Sequence, residues 1–173
     1  MQDADLFMEL AAIAGVFVGF GALIAVRSGG ASEPREVSPV RVTVAMGVVA
    51  IIGALAPVTL GRYALTVHQV LAASSVLTLV VALGGTYMHV RSPEYRAYAA
   101  AMRPEHLGVV DVVTLATWVL LAGGIILAPV VIVLGLASEL EAALYFTTLV
   151  LILLNAAWAL MSLVFAQRLP ASP

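Results

Sequence analysis

The chain has 173 residues, of which 62% are hydrophobic and 10% charged, with a mean hydropathy of +1.09 and a formal net charge of −2. Soluble domains carry about 25% charged residues, so this composition excludes an ordinary water-solvated globule. There is no cysteine, which excludes disulfide and thiol chemistry, and no basic stripe to neutralise phosphates, which excludes nucleic acid as a partner.

The first apolar run, about residues 5–26, lacks the cationic start of a signal peptide and reads as a retained helix. Ala11, Gly15 and Gly19 recur at four-residue intervals and share a face smooth enough for a second backbone to approach, either inside the bundle or between protomers. Glu9 lies one turn inside this helix, as a solvated interfacial carboxylate or a group facing an aqueous cavity. Gly29, Gly30, Pro34 and Pro39 are expected to break helix and form a loop.

A second helix is expected over about 40–61, bracketed by Arg41 and Arg62. Pro57 inside it supplies no backbone donor, so the carbonyl of Gly53 needs a partner from a neighbouring helix, a side chain or water. A tight turn then leads to a third helix over about 65–90. This helix carries His68 and Gln69 near its start, Ser74, Ser75 and Thr78 near its middle, and His89 at its end.

The segment from Arg91 to His106 places Tyr95, Tyr98 and Met102 on one face, which predicts a short helix at headgroup level. A fourth helix over about 109–135 contains the run from Val112 to Ser138, which has no charged residue and can cross a hydrocarbon core of about 30 Å. Asp111 sits at its start, suited to capping or to an inner vestibule. Pro129 interrupts it as Pro57 interrupts the second. A fifth helix over about 142–167 carries Asn155 near mid-membrane, with Ser75 and Thr78 as expected partners.

The fold class is therefore all-α: a single transmembrane domain of five helices with one interfacial helix. Arginine sorting orients it. The loop from Arg27 to Arg41 holds three, the loop from Arg91 to Arg103 three more and the tail Arg168, against Arg62 alone on the other side. Positive charge stays cytoplasmic, so the amino terminus is expected outside and the carboxyl terminus in the cytoplasm. The expected location is a bacterial cytoplasmic membrane.

Leu55-Ala-Pro-Val58 recurs as Leu127-Ala-Pro-Val130, so helices two–three and four–five read as repeated hairpins or as two ordinary kinks. The three histidines fall on different sides of the membrane, and no metal site, other cofactor or hydrolase motif is expected, so an enzyme is not the favoured class. Asn155, Asp111, Ser75, Thr78, Glu9, His68 and Arg62 are the candidate pathway or polar-network residues. The favoured reading is an oligomeric channel or transport component for a small ion or solute, with a pore between protomers. The competing one is an accessory or scaffold subunit bound to another membrane protein, supported by the scarcity of intramembrane charge.

Overall fold

A computed structural model describes residues 4–27, 34–93, 95–96 and 109–166. The described residues are all-α, with no strand. Helix α1 spans Ala4–Arg27, α2 Pro34–Leu60, α3 Val67–Arg91, α4 Val109–Val133 and α5 Glu141–Ala166; a 3₁₀ turn, Ser138–Leu140, leads into α5. Four helical segments, Ala4–Arg27, Val40–Leu60, Val67–Arg91 and Ser138–Met161, are long and apolar enough to cross a membrane. A shorter apolar segment is described in α4, Val119–Val133.

Two expectations for α2 change. The helix begins at Pro34 and runs through Pro39, where the sequence suggested a loop up to residue 40. Pro34 takes the first helical position, whose N–H has no intrahelical partner in any helix. Pro39 deprives only the carbonyl of Arg35, which lies ahead of the apolar span that starts at Val40. The expected interfacial helix, with Tyr98 and Met102, lies outside the described residues. Ahead of it, the Tyr95 amide donates to Ser92 Oγ at 3.1 Å.

The other boundaries have local causes. Thr66 caps α3 through a reciprocal box, with the Gln69 amide donating to Thr66 Oγ1 and the Thr66 amide donating to Gln69 Oε1. Helix α4 ends in a Schellman pair: the Gly135 amide bonds the Ile132 carbonyl and the Leu136 amide bonds the Val131 carbonyl. This closure needs a left-handed residue, and Gly135 has φ of +64°.

Helices α2, α3, α4 and α5 pack in a ring, each against the next, with α3 also touching α5. Helix α1 lies outside this ring, against α2 and, less extensively, α5. Its close approach to α2 depends on small residues. A Cβ on Gly21 would stand 2.6 Å from Val44 Cγ2, and one on Gly47 would stand 2.6 Å from Val18 Cγ2 and 3.3 Å from the Ala14 carbonyl oxygen.

The interior mixes large apolar, small and polar side chains. Phe7, Leu71, Ile132, Leu149 and Ile152 are buried together with Ala14, Ala50, Ala54, Ala156 and Ala159 and with Thr43, Ser74, Ser75, Thr78, Thr148 and Asn155. Many other large apolar side chains point outward: Phe20, Leu23, Val80, Met88, Leu120 and Leu127 are all at least 60% exposed. Small and polar residues at helix contacts with bulky apolar residues outside are what a hydrocarbon solvent selects, because lipid rewards no burial of leucine and punishes exposed hydroxyls. The chain is therefore a helical bundle with several helices long and apolar enough to span a membrane.

Candidate functional site

The polar groups of the interior converge on α5. Glu141, Tyr145, Thr148 and Asn155 lie zero, four, seven and fourteen residues from its start, a spacing that holds them on one helical face. All four are buried, as are Leu149 and Ile152. This face looks into the ring, so one helix carries polar side chains inward from the end of the bundle that holds the α2–α3 and α4–α5 turns.

At that turn end, Glu141 Oε1 lies 2.7 Å from His68 Nδ1. The Glu141 side chain is 5% exposed and the His68 side chain 49%. Glu141 is the first residue of α5, where the helix dipole favours a carboxylate. His68 stands in the capped first turn of α3, and its ring edge faces Gly135, whose Cβ would stand 3.8 Å from Cε1.

One turn deeper, Tyr145 donates its hydroxyl hydrogen to the Gly53 carbonyl at 2.7 Å. This is the carbonyl that Pro57 leaves without its helical donor. Thr78 Oγ1 lies 3.0 Å from the Tyr145 hydroxyl and 2.8 Å from the Ser74 carbonyl oxygen. Two hydroxyl hydrogens thus serve three links; with that of Tyr145 committed to Gly53, Thr78 shares its own between Tyr145 and Ser74. Phe7 of α1 covers this cluster edge-on to the Tyr145 ring, with centroids 5.9 Å apart.

Further along α5, Thr148, Leu149 and Ile152 are buried between Tyr145 and Asn155, with Leu149 alongside the cluster: a Cβ on Gly53 would stand 2.7 Å from Leu149 Cδ2 and 3.0 Å from Thr78 Oγ1. The Asn155 level is held by Thr43, whose Oγ1 donates to the Ala156 carbonyl at 3.2 Å. Among the described residues, Ser75 Oγ, Asn155 Oδ1 and Trp158 Nε1 are buried without a hydrogen-bond partner. Buried polar atoms of this kind call for an explanation beyond packing.

The candidates read from sequence therefore separate. Ser75, Thr78 and Asn155 lie inside the protomer and not on its rim. Thr78 binds Tyr145 rather than Asn155, because Asn155 lies ten residues further along α5, about 15 Å away at 1.5 Å per residue. His68 is at the turn end as expected, but Glu9 and Arg62 are exposed, and among the described residues neither joins the His68–Glu141 pair. Asp111 falls in the first turn of α4, and its side chain lies outside the described residues. Pro57 and Pro129 are both fully buried. Gly15 and Gly19 face open space, with nothing within 4 Å of where a Cβ would stand, so internal packing of α1 runs through Ala14 and Gly21 instead.

Tyr145 and Thr43 were missed by sequence reasoning. The signal for Tyr145 was its place one turn from Glu141 on an otherwise apolar helix, at a depth from which a hydroxyl could reach a proline-freed carbonyl. Comparison of the chain with family models, with curated proteins and with solved structures finds no match.

Proposed function

We propose that this chain is a five-span protein of a bacterial cytoplasmic membrane, amino terminus outside, that serves as a transport component for a small ion or solute. The observation that carries this reading is the inward polar face of α5, which runs from Glu141 to Asn155 and holds partnerless polar atoms inside the protomer. Polar groups without partners at membrane depth are costly, and a polar route offers a reason for keeping them there. The proline-interrupted helix α2 lies against this face, as broken helices do at solute sites. Because Ser75, Thr78 and Asn155 are internal, the route runs through each protomer along α5, and not between protomers. Leu149 and Ile152 are then the closed section of that route.

Self-association is part of the proposal. Gly15 and Gly19 leave a smooth outward patch on α1, suited to another copy's helix, whereas Ala11 of the same spacing packs against the core. The reading of an accessory subunit is favoured by one observation: α5 carries no charged residue between Glu141 and Asn155.

The experiment is purified protein in liposomes under ion and small-solute gradients. Flux that falls in Asn155→Leu and Tyr145→Phe supports transport. Silent liposomes, together with a stoichiometric foreign protein retained in mild detergent, would establish the accessory role instead.

A further inference from the structure

We propose that His68 and Glu141 form a proton-binding latch that holds the turn end of the bundle shut while the pair carries its proton. The inference deepens the transport reading, since Glu141 lies one turn from Tyr145 on the inward face of α5, but its test does not depend on flux.

The two partners differ in their access to water. Glu141 is shielded and His68 is half open to solution, so a proton can reach the pair through the imidazole. With the proton bound, an imidazolium faces a carboxylate at 2.7 Å, and the buried anion is compensated. When the proton leaves, the carboxylate stays buried beside a neutral ring, retaining one N–H donor and the dipole of α5 but no counter-charge. A buried anion without its cation is relieved by turning toward water.

Such a movement separates two first turns. His68 is fixed to α3 by the Thr66–Gln69 capping box, and Glu141 opens α5. The pair therefore ties α3 to α5 one turn from Tyr145 along α5, while Thr78, whose link to Tyr145 is 3.0 Å long, lies ten residues further along α3. Among the described residues, no other cation replaces the lost one. Helix α1 offers Asp5 and Glu9, and the approach to α5 offers Glu139, all anionic and exposed. The α2–α3 turn offers Arg62 and Tyr63, both exposed to water, and the adjoining end of α4 is apolar through Pro129, Val130, Val133 and Leu134.

The natural chain is free of cysteine, so a single introduced thiol reports access cleanly. Leu71→Cys places one at a site 2% exposed, one turn below His68; Tyr63→Cys, at a site 68% exposed, supplies the reference at each pH. Purified protein in lipid nanodiscs is labelled with a polar maleimide at about pH 5 and about pH 8, the span over which imidazoles ordinarily change charge. The labelling ratio of Leu71→Cys to Tyr63→Cys is expected to rise roughly ten-fold with pH, the size of one charge-assisted hydrogen bond lost. His68→Gln, which can donate but not titrate, should give a high ratio at both pH values, and Glu141→Gln a low one at both. Val70→Cys, also 2% exposed, repeats the measurement if Leu71→Cys does not purify as a folded species.

A ratio independent of pH in the chain with His68 and Glu141 intact overturns the latch, as does pH dependence that survives His68→Gln. Silent liposomes with a pH-dependent ratio reject transport and keep the latch. Flux with a flat ratio does the reverse.

Discussion

The Tyr145 hydroxyl meets the Gly53 carbonyl at 2.7 Å, and Gly53 lies four residues before Pro57, the residue that cannot supply the helical donor. A proline defect in α2 is thus repaired from α5, 92 residues away in sequence. Tyr145→Phe keeps the ring and its contact with Phe7 but removes the donor. Interhelical hydrogen bonds in membranes average about 0.6 kcal/mol with a maximum near 1.7. The loss here is expected near that maximum, about 1–2 kcal/mol, since an acceptor is left bare in an apolar interior. Unfolding in mixed micelles under increasing sodium dodecyl sulfate measures it.

The repair also predicts non-additivity. Pro57→Ala restores an N–H that can reach Gly53, so the tyrosine hydroxyl becomes less necessary. In the Pro57→Ala background, Tyr145→Phe should cost less than in the natural chain, by roughly 0.5–1 kcal/mol, the scale on which residues sharing a partner couple. Equal costs in both backgrounds would show that the tyrosine serves something other than the freed carbonyl. A four-member double-mutant cycle decides.

The glycines of α1 and α2 should respond oppositely to alanine. At Gly47 a Cβ meets Val18 Cγ2 at 2.6 Å and a backbone oxygen at 3.3 Å, and neither the β-branched side chain nor the backbone can retreat easily. Gly47→Ala is expected to loosen α1 from the bundle at a cost of about 1–3 kcal/mol. Gly15→Ala and Gly19→Ala meet nothing within 4 Å and should leave protomer stability unchanged or slightly raised. If copies associate through that face, these two variants shift the oligomer distribution seen by light scattering and the first does so only through unfolding.

Gly135→Ala tests the turn between α4 and α5. A methyl group at φ of +64° is strained whatever space surrounds it, and the cost is about 1 kcal/mol. The new Cβ would stand in ordinary contact, 3.8 Å from His68 Cε1, so the strain should appear as lower stability without displacement of the histidine ring. Chemical denaturation combined with the imidazole proton resonances of His68 separates the two effects.

Thr43 and Asn155 probe the deeper level. Thr43→Val removes one hydrogen bond to the Ala156 carbonyl, and a cost of about 0.5–1 kcal/mol is expected because that carbonyl also belongs to an uninterrupted stretch of α5. Asn155 Oδ1 has no bond to lose. Asn155→Leu should therefore change stability less than its burial suggests, and any large effect of this variant should be on flux.

The apolar segments were legible in the sequence because hydrocarbon thickness sets their length: an expected helix over 65–90 is observed as Val67–Arg91, and one over 142–167 as Glu141–Ala166. The need of Gly53 for an outside donor was legible too, since it follows from proline alone. The identity of the donor was not, because it depends on how far α5 is offset along α2. Pairing Asn155 with Thr78 assumes that residues counted from helix ends share a depth. The helices instead meet with Thr78 beside Tyr145, and the count fails by about 15 Å at 1.5 Å per residue. The smoothness of the Ala11–Gly15–Gly19 strip follows from residue size, but the rotation of α1 about its axis, fixed by Ala14 and Gly21 against α2, is a tertiary fact that four-residue spacing cannot supply.

Helix α5 is synthesised after α1–α4, yet it completes the interior of those made before it. Until residue 145 has been made and packed, Gly53 carries a bare oxygen and Thr78 has only its own helix to bind. A nascent chain arrested ahead of residue 141 would thus hold a proline-weakened α2 exposed to any protease that recognises loosened helices. The repair of α2 waits for a residue translated 92 positions later.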